Sequence, residues 1–162
     1  MEAGDLLKAF MRSVAQPVFI VTARSERGVA GFTASSVTSI SLEPPLMMVS
    51  VAKGSRSHDP LVSARYFIIS LLDSSAREKA EIMAERGDPE EKLRRAGFKE
   101  TSYGPLVEGS SAYLVLERYA VYDGGDHTIV LGRIVEGRVG RTDCPLLYHN
   151  RRYTTIEGCR IG

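Results

Sequence analysis

Cysteine is scarce. The 162 residues hold two, Cys144 and Cys159, alongside three histidines. No Cys-x-x-Cys or other zinc spacing joins them, so no metal site is expected. Both are expected as free thiols, the usual state in an intracellular setting; a disulfide is open but not implied. Surplus charge is also lacking. Lys and Arg total 21 against 20 Asp and Glu, a net +1, so bulk electrostatics point to no nucleic-acid partner. No apolar run approaches the ~20 residues that span a bilayer. The start, Met1-Glu2-Ala3-Gly4-Asp5, has no basic signal-peptide region. The expectation is a cytoplasmic protein with no membrane association.

Several catalytic signatures are missing as well. Without a Gly-x-Ser-x-Gly elbow, nothing supports a Ser/His/Asp hydrolase. No Gly-x-Gly-x-x-Gly opens a helix, and no Gly-x-x-x-x-Gly-Lys-Ser loop occurs. Any nicotinamide nucleotide must therefore bind without a Rossmann unit. No repeat, low-complexity run or linker divides the chain, so residues 1–162 are expected to form a single domain.

What is present centres on Gly31 to Pro60. Gly31-Phe32-Thr33-Ala34-Ser35-Ser36 leads into a Ser- and Thr-rich strand ending near Leu42. Pro44-Pro45 must lie between strands, because proline cannot donate to a sheet ladder. The apolar run Leu46 to Ala52 predicts a second strand buried on both faces. Antiparallel pairing would bring Thr33–Ser36 beside Ser55-Arg56-Ser57. Backbone N–H groups, hydroxyls and a guanidinium would then converge, as a phosphate requires. Asp59-Pro60 predicts a helix start with Ser57 or Asp59 as N-cap, adding a favourable dipole. The same Ser and Thr also suit ordinary strands and caps.

Elsewhere, Asp5 to Val14 predicts an amphipathic helix capped by Asp5 and packed on the core. Strands are expected at Pro17–Arg24 and from Val29, joined by a Ser25–Gly28 turn; with the next two strands they form a meander. Tyr66 to Leu72 predicts another strand. Ser74 to Arg86 predicts a helix with Ala76, Ala80, Met83 and Ala84 on one stripe. Asp88-Pro89 starts a further helix, stopping at Gly97, whose charged face suits a solvated surface. No site residue is expected between Ser74 and Gly97. Ser110–Tyr122 and Thr128–Val139 predict a long hairpin turning at Asp123-Gly124-Gly125-Asp126. Gly132 and Gly137 mark bulges or bends.

The Gly31–Ser36 stretch, Ser39-Ile40-Ser41-Leu42-Glu43-Pro44-Pro45 and Ser55-Arg56-Ser57 together resemble the flavin reductase-like family. So do Gly125-Asp126-His127 with Gly132-Arg133-Ile134, and Pro145-Leu146-Leu147-Tyr148, all in the family's order. The resemblance implies a mainly β fold with peripheral helices: the FMN-binding split β-barrel, Greek-key-like. It implies FMN, with FAD or riboflavin as alternatives, and NAD(P)H as co-substrate. The phosphate would lie on Ser55, Arg56 and Ser57, and the ring along Thr33, Ala34, Ser35, Ser36, Ser50, Val51, Ala52 and Lys53. His127 would stand beside the nicotinamide or the ring, and Tyr148 near the ring. On residues alone, His127 reads as a loop histidine bonded to Asp126, and Tyr148 as a surface-strand tyrosine. Relatives usually carry Asn where Ser70 stands. The implied activity is hydride transfer from NAD(P)H to flavin. The electrons would pass to an oxygenase, free flavin or a ferric chelate, and the chain would form a homodimer. A flavin-binding storage or electron-transfer protein that does not use NAD(P)H is the alternative.

Overall fold

The computed structural model describes residues 1–141 and 143–162. Helix α1 covers Ala3–Arg12, followed by β1 (Gln16–Pro17), β2 (Phe19–Ser25), β3 (Gly28–Ala34), β4 (Val37–Leu42) and β5 (Pro45–Ala52). Next come α2 (His58–Ser63) and β6 (Tyr66–Leu71). A 3-10 turn at Ser74–Ala76 leads into α3 (Arg77–Ala84) and then α4 (Pro89–Ala96). The chain continues through β7 (Phe98–Thr101), β8 (Gly104–Val107), β9 (Ala112–Gly124), β10 (His127–Val139), β11 (Leu147–His149) and β12 (Arg152–Thr154).

Seven strands form one sheet in the order β3-β2-β6-β9-β10-β5-β4. Every pairing in it is antiparallel. Its two edges are β3 and β4, yet only Ser35 and Ser36 separate them in sequence. The chain crosses from one edge to the other in that short step, so the sheet must curl until the edges meet at a corner. They do not pair, which leaves the barrel split. The expected meander is thereby corrected: β2–β3 and β4–β5 are hairpins, but β3 and β4 are not neighbours. Curling buries Ala34 and Val37, on either side of the crossing, in one core. That core also takes Val21, Val49, Phe67, Leu116 and Val130 from the strands, and Leu61 of α2.

A second core lies on the other face of β2. Val18, Ile20 and Val29 meet Met83 of α3, Leu93 and Ala96 of α4, Val107 and Leu146. The solvated α4 expected from its charged residues is therefore corrected. Pro89, Lys92, Leu93 and Ala96 form a buried stripe at helical spacing. The β7–β8 hairpin, which periodicity did not reveal, covers β2 and receives a bond from Thr22 Oγ1 to the Pro105 carbonyl at 2.6 Å.

Other expectations shift with packing. Helix α1 begins at Ala3 behind Glu2, with no side-chain cap, and none of its residues is buried. Leu6, Leu7 and Phe10 are 55%, 62% and 68% exposed, so its apolar face does not join this chain's core. Strand β5 is fully buried only at Leu46, Val49 and Val51 rather than throughout both faces. Val49 and Val51, with Met47, face the barrel core, while Met48, Ser50 and Ala52 stay half-buried. The Ser74–Arg86 helix divides into the 3-10 turn and α3, and Ala84 is exposed. The long hairpin forms as expected, turning at Gly125-Asp126, with a register shift at Gly132. A Cβ at Gly132 would lie 2.5 Å from Phe67 Cζ and 2.7 Å from Leu116 Cβ; glycine lets the bent strand approach β6 and β9. A second shift falls between Ile134 and Glu136, just before Gly137.

Cys144 and Cys159 form a disulfide, their Cα atoms 5.6 Å apart, which corrects the expectation of free thiols. The cause is tertiary. Ser74 N–H donates to the Cys144 carbonyl, and Gly162 N–H donates to the Ser74 carbonyl, both at 2.8 Å. The 3-10 turn thus holds both cysteine segments side by side. Among the described residues, no helix is long and apolar enough to cross a membrane.

Two buried hydroxyls on the sheet should respond oppositely to deletion. Ser70 Oγ is buried with no partner among the described residues, whereas Thr22 holds Pro105. Ser70→Ala should leave stability unchanged or raise it by up to about 1 kcal/mol, while Thr22→Val, which orphans a carbonyl, should cost about 1–3 kcal/mol. Urea midpoints at constant slope would measure both.

Candidate functional site

Where β5 leaves the sheet at Ala52, a tight loop runs to α2. Lys53 N–H donates to the Asp126 carbonyl at 2.9 Å, Ser55 N–H to Ala52 O at 3.0 Å, and His58 N–H to Ser55 O at 3.1 Å. Ser57 N–H donates to Ser55 Oγ at 3.1 Å. Ser57 occupies the N-cap position of α2, but its hydroxyl makes no cap bond. Instead Ser57 Oγ accepts from Gly31 N–H at 3.0 Å and lies 3.4 Å from the Gly31 carbonyl, to which it donates. The loop is thereby fastened to β3. A Cβ at Gly31 would lie 2.8 Å from Met83 Cε, so glycine there also admits α3.

These elements enclose a cleft of about 680 Å³. Its walls are Phe32 and Thr33 of β3, Ala52 and Gly54–Ser57 of the loop, Met83–Gly87 at the α3–α4 junction, and Lys92 of α4. Thr33 Oγ1 donates to the Ala80 carbonyl at 2.7 Å, tying β3 to α3. The cleft carries three cationic side chains: Arg56, Arg86 and Lys92. Lys92 is buried, and its Nζ donates to the Met83 carbonyl at 3.2 Å and the Glu85 carbonyl at 3.0 Å. Burial lowers its pKa below 10.5; Glu85 opposes that shift, and the charge of Arg56 adds to it. Glu85 is itself clasped by both Arg95 terminal nitrogens, at 2.8 and 3.0 Å, which hold its carboxyl below the usual range. With that acid neutralised, the cleft keeps a positive surplus suited to a phosphate.

Of the residues singled out in the sequence, Thr33, Ala52, Ser55, Arg56 and Ser57 meet on this cleft. Lys53 faces an adjoining pocket and forms an ion pair with Asp123. Ala34 and Val51 are buried in the barrel core. Ser35 and Ser36 form the edge crossing, and Ser50 N–H donates to the Ser36 carbonyl at 3.2 Å. These five, Ala34, Ser35, Ser36, Ser50 and Val51, do not line the cleft. His127 pairs across the sheet with Ala52. Its Nδ1 is 2.7 Å from Asp126 Oδ1, a bond that holds the Asp126 carboxyl below its ordinary range. Tyr148 lies elsewhere, 5.1 Å from the Tyr153 ring and in a separate pocket with Met11 and Arg12. Met83–Gly87 and Lys92, in the segment expected to hold no site residue, form one wall. The available signal was Lys92 itself, a lysine within the apolar stripe 89/92/93/96.

FMN fits what is present. The volume lies within the usual range for small-molecule sites. Phe32 and Met83 offer apolar wall, and Arg56 with Lys92 offers phosphate charge. A split barrel with this cleft defines a flavin-binding class of protein. The flavin reductase like domain matches residues 11–157, and the chain belongs to that family. It is similar to NADH:riboflavin 5'-phosphate oxidoreductase of Streptomyces pristinaespiralis, 35% identical over 90% of this chain and 84% of that protein. The reductase component of 4-hydroxyphenylacetate 3-monooxygenase of Thermus thermophilus is 33% identical over 94% of this chain and 96% of the relative. Among solved structures, flavin reductase HpaC complexed with NADP+ superposes with a TM-score of 0.85 at 28% identity, covering 96% of this chain and 99% of that one.

Lys92 links the cleft wall to stability. The unfolded chain binds its proton more tightly than the folded one, so unfolding takes up protons between the lowered pKa and 10.5. The contribution of Lys92 to stability should therefore rise with pH across that window. Subtracting the urea stability of Lys92→Met from that of the parent, from neutral pH to pH about 10, should give a difference that climbs. A flat difference would contradict this.

Proposed function

We propose that this chain is an NAD(P)H:flavin oxidoreductase that holds FMN in the cleft beside Ser55, Arg56 and Ser57. The observation that carries the reading is the Ser55–Ser57 loop, pinned to Gly31, with Arg56 and Lys92 on one cleft. FMN, when bound, supplies the two-electron acceptor chemistry. Arg56 and the Ser55 hydroxyl bind the phosphate, and Lys92 adds charge from the opposite wall. Ser57 and Thr33 act as ties, because their hydroxyls are committed to Gly31 and Ala80. Ala52 with Ser50 and Val51 at the end of β5, and Lys53 just beyond it, set the ring's position. Ala34, Ser35 and Ser36 shape the barrel corner behind it. His127, oriented by Asp126 and opposite Ala52, positions the nicotinamide donor. Placing donor and acceptor together is the protein's main contribution to rate.

We take 1–162 as one functional domain, working in the cytoplasm where NAD(P)H is supplied. A separate oxygenase is the acceptor we favour, because the family's named members include reductase components of monooxygenases. A homodimer is supported by the exposed apolar face of α1 and by exposed Tyr119, Tyr122 and Val139 on the long hairpin. Such a surface suits an isologous contact. A symmetric dimer could also bring Tyr148 to the partner's cleft, the route by which that residue would reach a ring.

Arg56→Ala should cost about 1.5–3 kcal/mol of FMN binding, a rise in Kd of roughly 10- to 150-fold. Riboflavin, which has no phosphate, should change far less; equal losses would remove Arg56 from the phosphate. His127→Ala should keep FMN affinity and slow anaerobic bleaching by NADH or NADPH about tenfold. Dithionite should still reduce the flavin fully. An unchanged bleaching rate would return His127 to a hairpin residue.

A further inference from the structure

The loop that carries Ser55 and Arg56 is tied to β10 and its turn at both ends. At its start, Lys53 N–H donates to the Asp126 carbonyl at 2.9 Å. At its end, His58, the first residue of α2, places Nε2 2.7 Å from Thr128 Oγ1. Asp126 and Thr128 are the two chain neighbours of His127, so the ties grip the backbone on either side of that imidazole. The second tie is oriented by charge. His58 Nδ1 lies 2.8 Å from Asp59 Oδ1, and Arg27 Nη2 donates to Asp59 Oδ2 at 3.1 Å. The bond from His58, with the charge of Arg27 adding to it, holds the Asp59 carboxyl below its ordinary range. An ionised carboxylate can only accept, so His58 Nδ1 carries a proton and donates it. In the neutral ring Nε2 is then an acceptor, and the Thr128 hydroxyl donates to it. The His58 side chain is 18% exposed and Thr128 7%, which makes this bond stronger than its counterpart in water. A hydroxyl so buried is placed to hold the chain together, not to attack a substrate.

We propose that His58 is a positioning residue for hydride transfer: with the Lys53 tie, it clamps the phosphate loop to both neighbours of His127 and fixes where that imidazole stands relative to the flavin phosphate. The inference rests on the NAD(P)H:flavin reading and deepens it, because it joins the two halves of that site. Sheet pairing sets His127 opposite Ala52, but the ladder ends there and does not hold the loop beyond. The His58–Thr128 bond supplies the missing constraint at the far end of the loop. A nicotinamide placed by His127 and a flavin anchored at Ser55 and Arg56 then keep one separation. A shift of about an ångström between donor and acceptor forfeits much of the orientation advantage. His58 itself touches neither ring; it acts through Thr128 and His127.

Anaerobic stopped-flow reduction of bound FMN at saturating NADH or NADPH reads hydride transfer, and flavin fluorescence reads the FMN Kd. Circular dichroism establishes that each variant is folded. His58→Ala should slow reduction about tenfold, while the FMN Kd moves by less than about threefold. Thr128→Val, which keeps the side chain's shape and loses its hydroxyl, should slow reduction to the same degree. Thr128→Ser keeps the hydroxyl and should stay near the parent rate. Because the effect runs through His127, adding His58→Ala to His127→Ala should slow reduction no further. A folded Thr128→Val with the parent rate overturns the inference. So does an FMN affinity in His58→Ala that falls as far as the rate, since His58 would then only support the phosphate loop. Multiplied losses in the His58→Ala, His127→Ala double variant overturn it as well. Should His58→Ala fail to fold, the contrast between Thr128→Ser and Thr128→Val decides the matter alone. A parent chain that binds FMN but is reduced by neither nicotinamide overturns the underlying reading instead.

Discussion

Four elements meet at Gly31, and the site depends on that meeting. The backbone of Gly31 takes both bonds of the Ser57 hydroxyl, which fastens the β5–α2 loop to β3. The space a side chain would fill is occupied by Met83 of α3, with Leu93 of α4 behind it at 3.4 Å. A side chain at residue 31 would push the helices off the barrel or the loop off the strand. Either shift would open the cleft, because its walls are those same pieces. A backbone that must approach neighbours closely calls for glycine, and the loss of an orphaned buried bond partner costs free energy.

That arrangement divides labour between hydroxyls and cations. Thr33 and Ser57 lie where a phosphate ligand would be sought, yet both spend their hydroxyls on the scaffold. The charge for an anion comes instead from Arg56 and from Arg86 and Lys92 across the cleft. Lys92 does both jobs: its amine ties Met83 and Glu85 carbonyls at the end of α3, and it faces the cleft. Holding a desolvated cation there lowers its pKa, a cost that two carbonyl bonds offset in part.

Much of the fold was legible locally. Alternating and apolar runs marked β2, β5, β6, β9 and β10, and Asp88-Pro89 with Gly97 marked both ends of α4. The Gly125-Asp126 turn followed from residues that tolerate positive φ. Ser55-Arg56-Ser57 was legible as a site, but of the Thr33–Ser36 stretch that antiparallel pairing placed beside it only Thr33 lines the cleft, because β3 reaches the loop from the opposite edge of the curled sheet. The cleft's other wall was not legible, since Met83–Gly87 reach it only through the packing of α3 and α4 on β2.

By itself, the sequence determined the strands, the hairpin turns, the loop after β5 and the residue types available to hold a phosphate. These follow from periodicity, from proline and glycine, and from short-range geometry, all of which act within a few residues. Only the tertiary structure decided that β3 and β4 would be opposite edges of one curled sheet. It alone decided that the α1 face stays uncovered, that Cys144 meets Cys159, and that Tyr148 stands apart from Arg56. Each of those depends on contacts between residues far apart in the chain, and local pattern carries no record of which distant surface a residue will meet.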